Sequence, residues 1–263
     1  MLTNHVYIII PLFSILAGMI VGIFGGGSGL ILMPTYYFAL KYFPLAQDLK
    51  MQMAIATTAL STSICALPSL YQHIIFKNVE IYLIKRLLPG MLIGTLLAVI
   101  FLNIIPSSYL KLLFGFFVIT VSIWLFLYDK DSDSNKWSIS SNKNFIISII
   151  ISFLWFSFGV AVFTVPYLIK CQVKLITAIG TATFISISMG FIISIMLIIT
   201  GYYHIGLSLN HIGFVNITFL SLTIFPAILG SYLGTKICFH INPSYLKISY
   251  ASLVLVVGLL MIF

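Results

Sequence analysis

Five consecutive residues near the start of the chain, Gly25-Gly26-Gly27-Ser28-Gly29, combine two properties suited to holding an anion. Glycine lets a backbone N–H approach a ligand with no Cβ in the way. Serine adds a hydroxyl donor. The run is followed by Leu30-Ile31-Leu32-Met33, so the break reads as the N-terminus of a new half-helix. The first amides of a helix lack intrahelical partners and sit at the positive end of its dipole, which favours a negative charge. The competing use of such small residues is close helix–helix packing. Four glycines and a serine in five positions, directly before a half-helix, favour a binding site.

Further polar groups lie in "AIATTALST" from Ala54 and in "AIGTATFIS" from Ala178. Most of these hydroxyls are expected to bond back to their own helix or across to another. Thr57 and Thr181 occupy matching positions and are the expected ligands among them, with Thr58 beside the first. Metal and catalytic chemistry find little support. The five histidines form no His-Glu-x-x-His or comparable spacing, and Cys65, Cys171 and Cys238 lie far apart in or beside apolar runs. All five acids, Asp48, Glu80, Asp129, Asp131 and Asp133, fall in expected loops, so no carboxylate is placed to relay protons within a span. No cofactor and no metal site is expected.

The elements that hold these residues are membrane helices. The chain has 263 residues, of which 61% are hydrophobic and only 7% charged, too few charges for a soluble surface. Apolar runs long enough to span a bilayer are read near 6–24, 52–72, 81–103, 107–128, 144–168, 175–199, 209–235 and 244–262. They are continuously apolar, which excludes a transmembrane barrel. The first run is read as retained, since no small-x-small cleavage site follows it. The net charge of +8 comes from basic residues in short loops and carries no nucleic-acid motif. The partners implied are a lipid bilayer and a small anionic substrate, with room for a homo-oligomer.

A polar stretch at 129–143 divides the chain into a first transmembrane repeat, 1–128, and a second, 144–263. Ser108-Tyr-Leu-Lys111 recurs as Ser244-Tyr-Leu-Lys247, a shift of 136, and at that shift Gly94 falls on Gly230. Pro34 corresponds to Pro166, and Gly27 to Gly159. These prolines and glycines are read as marking structural breaks. If the first segment of each half is a re-entrant hairpin, Lys41, Lys50 and Lys111 lie on one side and the other ten basic residues on the opposite side. That asymmetry satisfies the positive-inside rule, with the 129–143 connector in the cytoplasm and both termini outside. The halves are then inverted repeats, a design that places a substrate at the repeat interface. The expected fold is therefore an all-α polytopic membrane protein of about eight hydrophobic segments in two four-segment halves.

The order of these motifs resembles the TauE/SafE sulfite-exporter family, the TSUP transporters. The resemblance rests on "GIFGGGSGLILMP", "AIATTALSTS", the loop His73-Ile-Ile-Phe-Lys77-Asn-Val79, and the helix carrying Pro89-Gly90 and Gly94. In the second half it rests on "AIGTAT", "HIGFVN", "ILGSYLGTKI" and "SYLKISYASLVLVVGLLMI". The second glycine break departs from the family pattern, keeping only Gly159, Ala161 and Pro166 in place. The resemblance implies an inner (plasma) membrane exporter of a small anion such as sulfite or an organosulfonate, with Gly25–Gly29, Gly159 and Ala161 lining the site. The rival expectation is a membrane scaffold or assembly factor without transport.

Overall fold

A bilayer interior offers no hydrogen-bond partner to the backbone, so an apolar chain within it must satisfy its amides internally. The structure, a computed structural model, describes residues 2–43, 49–127, 141–154, 161–202, 210–238, 240 and 243–262. The described residues form α1 (Leu2–Phe24), α2 (Gly29–Leu40), α3 (Lys50–Cys65), α4 (Leu67–Ile75), α5 (Ile81–Ile104) and α6 (Ser107–Leu127). They continue as α7 (Ser141–Leu154), α8 (Ala161–Lys170), α9 (Leu175–Gly201), α10 (Ile217–Cys238) and α11 (Pro243–Ile262). Among the described residues, five segments are long and apolar enough to cross a membrane: Tyr7–Phe24, Lys50–Ile75 (α3 and α4 together), Ile81–Ile104, Leu175–Gly201 and Ile217–Cys238. The protein is an all-α polytopic membrane protein. Most of the 129–143 connector, and Gly159, lie outside the described residues.

Several segments differ from the sequence reading in detail. The run at 52–72 is jogged at Ala66 between α3 and α4. Pro68 has no N–H, so the Ile64 carbonyl lacks its usual partner four residues on. The run at 209–235 opens with a short antiparallel hairpin, β1 (His211–Ile212) and β2 (Val215–Asn216), before α10 begins. Pro34, Pro166, Gly94 and Gly230 were expected at breaks, yet each lies inside a continuous helix. The two glycines are small for a different reason. A Cβ at Gly94 would strike the Ile149 carbonyl, and one at Gly230 would strike the Ile15 carbonyl. They let α5 meet α7, and α10 meet α1, backbone to backbone.

The chain doubles back at the glycine break. Ser14 on α1 and Tyr36 on α2 both reach Thr223 Oγ1, at 3.2 and 2.6 Å. Residues on either side of a straight run of that length would lie roughly 30 Å apart at 1.5 Å per residue. A second fold-back joins α7 and α8, where the Tyr167 hydroxyl donates to Asn144 Oδ1.

Helix directions follow from the close approaches. Gly18 and Gly22 of α1 lie against Ala227 and Ser231 of α10, so these two helices run parallel. Gly90 and Gly94 of α5 lie against Ser148 and Ile149 of α7, again in parallel. Along α9, Gly180 meets His73 and Gly190 meets Ala59, so α9 runs antiparallel to α3 and α4. Gly115 of α6 meets Ile262, while Ser122 donates to the Ala251 carbonyl at 2.8 Å, making α6 and α11 antiparallel.

Candidate anion site

The break is built by glycine conformations. The Gly25 amide closes α1 on the Val21 carbonyl at 2.9 Å. Gly25 then takes φ +72° and Gly27 φ +88°, left-handed angles that cost a residue with a Cβ about 1–2 kcal/mol. The chain re-enters helix when Leu30 N–H bonds the Gly27 carbonyl at 3.0 Å and Leu32 N–H bonds that of Ser28 at 2.9 Å. Among the described residues, the amides of Gly26, Gly27, Ser28 and Gly29 donate to no protein acceptor. Ser28 stands at the N-cap of α2 without capping it; the residue is 1% exposed and its buried Oγ has no partner among the described residues. All five residues of the turn are buried. Buried amides are almost always paired, so this group of donors at a helix N-terminus can receive the oxygens of an anion.

The tip of this hairpin rests on α9. An ideal Cβ on Gly25 would lie 2.6 Å from the Ile179 carbonyl and 2.7 Å from Thr183 Oγ1. Thr183 therefore borders the turn, its hydroxyl donating to the Ile179 carbonyl at 2.8 Å. The sequence shows Thr183 only as one of several helix hydroxyls; its place beside Gly25 depends on a contact across the fold. Thr58 Oγ1 is a second buried hydroxyl without a partner among the described residues, on α3, which packs along α2.

Thr57 and Thr181 are placed differently. Thr57 Oγ1 donates to the Met53 carbonyl at 2.8 Å and accepts the Asn216 amide at 2.9 Å. Thr181 Oγ1 accepts the Glu80 amide at 3.0 Å. At the shift of 136, Glu80 and Asn216 are equivalent positions. Each threonine thus clasps the loop of the other half, and its hydroxyl is already engaged. Thr181 lies two residues, about 200°, around α9 from the face that meets Gly25. The loops themselves share a conformation: Lys77 and Gly213, also 136 apart, both have φ 54°. In the second half α8 begins at Ala161, while Gly159 falls outside the described residues.

The family model described as sulfite exporter TauE/SafE matches residues 10–261. The chain belongs to this family. It is 30% identical over 275 residues to a probable membrane transporter protein of Methanocaldococcus jannaschii, covering 97% of this chain and 96% of the relative. It is 23% identical over 254 residues to a probable membrane transporter protein of Haemophilus influenzae, covering 93% of each. A third relative, the probable membrane transporter protein YunE of Bacillus subtilis, is 29% identical over 135 residues, about half of either chain. No solved structure matches the chain. A multi-pass membrane protein of a transporter family thus carries, at a glycine-broken hairpin, four buried amides and a buried hydroxyl without partners among the described residues.

Proposed function

We propose that the protein exports a small anion across the inner membrane, and that the anion meets the chain at the N-terminus of α2. The supporting observation is the group of unpaired donors from Gly26 to Gly29, completed by the Ser28 hydroxyl. Neutral donors and a helix dipole can hold a negative charge without a basic side chain in the turn. Membership of the sulfite exporter family supports an oxidised sulfur species, sulfite or an organosulfonate, as the anion. The protein moves its substrate without altering it, so it is a carrier and not an enzyme.

The two halves are read as inverted copies. The antiparallel course of α3 and α9, and the reciprocal clasps of Thr57 and Thr181, support that reading. An anion leaving a negative cytoplasm gains ~2.3 kcal/mol per charge per 100 mV. That sustains a gradient of about forty-fold for a monovalent anion. The test is flux in proteoliposomes, screened over sulfite, sulfate, sulfonates and sulfide at imposed potentials. Voltage-dependent sulfite or sulfonate flux that Gly27→Leu abolishes is the expected result. A well-folded protein that moves none of these anions would favour a scaffold.

A further inference from the structure

Among the described residues Tyr36 is the largest of the fully buried side chains, and it carries a polar hydroxyl at 0% exposure. Its O–H donates to Thr223 Oγ1 at 2.6 Å, so at Ser61 Oγ, 2.9 Å away, it accepts. Ser14 Oγ reaches the same Thr223 oxygen at 3.2 Å while donating to the Ile10 carbonyl at 2.6 Å. Four helices, α3, α2, α10 and α1, thus converge on two hydroxyl oxygens. The Tyr36 ring stacks on Phe219 of α10 at 5.6 Å between centroids.

Ile10, Ser14, Tyr36, Ser61 and Thr223 are each 0% exposed, and the cluster ends on a backbone carbonyl. Its equivalents in the other half are apolar. Tyr36 corresponds to Leu168 by the proline shift of 132, Ser61 to Ile185 by the helix shift of 124, and Thr223 to Leu87 by 136. All three are buried, at 0%, 0% and 2%. The hydroxyl cluster therefore serves the hairpin that keeps the full glycine turn.

We propose that Tyr36 is a positioning residue that fixes the axial register of α2 and thereby holds the donors of Gly26–Gly29 in place. Apart from Thr35, Tyr36 and the half-buried Tyr37, α2 consists of apolar residues, glycine and one proline. Apolar contacts are non-directional and permit axial sliding. Hydrogen bonds to Ser61 and Thr223 are directional and do not. Pro34 lies between Tyr36 and the turn and removes the amide that would bind the Leu30 carbonyl. The half-helix is thus anchored on one side of a weakened ladder and carries the site on the other.

The test uses Tyr36→Phe and Thr223→Val, each with near-unchanged volume, and Thr95→Val as control. Thr95, on α5, makes a comparable buried bond to Ser152 of α7, and its hydrogen bonds involve neither α2 nor the cluster. One readout needs no ligand: the alkylation rate at position 28 in a Ser28→Cys protein lacking its native cysteines. The other is sulfite affinity in the protein with Ser28 intact. Two lost bonds correspond to about seven-fold, or ~1.2 kcal/mol. Tyr36→Phe and Thr223→Val should each raise the alkylation rate and weaken sulfite binding by up to that factor. The double variant should do no more than Tyr36→Phe alone, and Thr95→Val should change neither readout. Unchanged alkylation in both variants overturns the proposal, as does faster alkylation with unaltered affinity in a protein that binds sulfite. The affinity effect rests on the proposed anion site. Faster alkylation in a protein that binds no anion would uphold the positioning role and refute that site.

Discussion

Adding a methyl group at Gly25 should destabilise the fold by ~2–5 kcal/mol, and the figure can be assembled from two effects. Gly25 has φ +72°, where a Cβ costs ~1–2 kcal/mol. The new Cβ would also lie 2.6 Å from the Ile179 carbonyl and 2.7 Å from Thr183 Oγ1. Ordinary contact lies near ~3.5 Å, so α9 or the hairpin tip must give by several tenths of an ångström. Overpacking of that kind costs ~1–3 kcal/mol. The three free cysteines, Cys65, Cys171 and Cys238, are buried and become reactive on unfolding. A maleimide dye therefore reports the transition of the detergent-solubilised protein during heating. At about 2–4 °C per kcal/mol, Gly25→Ala should lower the midpoint by roughly 4–20 °C. A midpoint within about 1 °C of the unaltered protein would refute the left-handed, α9-packed geometry of the break.

Other substitutions follow from the same geometry. Lys77 closes α4 in a left-handed C-terminal cap, its N–H on the Ile74 carbonyl at 3.0 Å and that of Asn78 on the His73 carbonyl at 2.8 Å. Lys77→Gly should therefore stabilise the fold by up to ~1 kcal/mol, raising the midpoint in the same dye assay by up to about 2–4 °C. Thr57→Val should cost ~1–3 kcal/mol of stability by leaving the buried Asn216 amide unpaired, with little change in the KM for anion flux. A large rise in KM at unchanged stability would return Thr57 to the ligands. If the 129–143 connector faces the cytoplasm, as the distribution of basic residues proposes, a cysteine introduced by Ser134→Cys should resist an impermeant thiol reagent applied to intact cells and react after permeabilisation.

Local chemistry was readable where one stretch of chain decides the outcome. Glycines at 25–29 forced the break, and the apolar residues after Gly29 announced α2. The equivalence of Gly94 and Gly230 was also visible, but their purpose was not. A glycine needed for backbone contact looks the same in sequence as one at a break, and only the partners, Ile149 and Ile15, separate the two. The matching of Thr57 with Thr181 was visible for the same reason. Their engagement by the amides of Asn216 and Glu80, 159 and 101 residues away, has no local signature. The Tyr36 cluster left no trace either. Tyrosine in an apolar half-helix reads as one more large side chain until Ser61 and Thr223 are brought to its hydroxyl.

Binding of radiolabelled sulfite to purified protein, with and without Ser28→Ala and Gly27→Leu, tests the central claim most directly. The unaltered protein should bind saturably. Loss of one hydroxyl donor in Ser28→Ala should weaken binding about three- to ten-fold, from ~0.5–1.5 kcal/mol per hydrogen bond. Gly27→Leu should abolish it while the protein still reaches the membrane, because Gly27 has φ +88° in the buried turn. Saturable binding that both variants retain at full affinity would place the anion elsewhere and contradict the account.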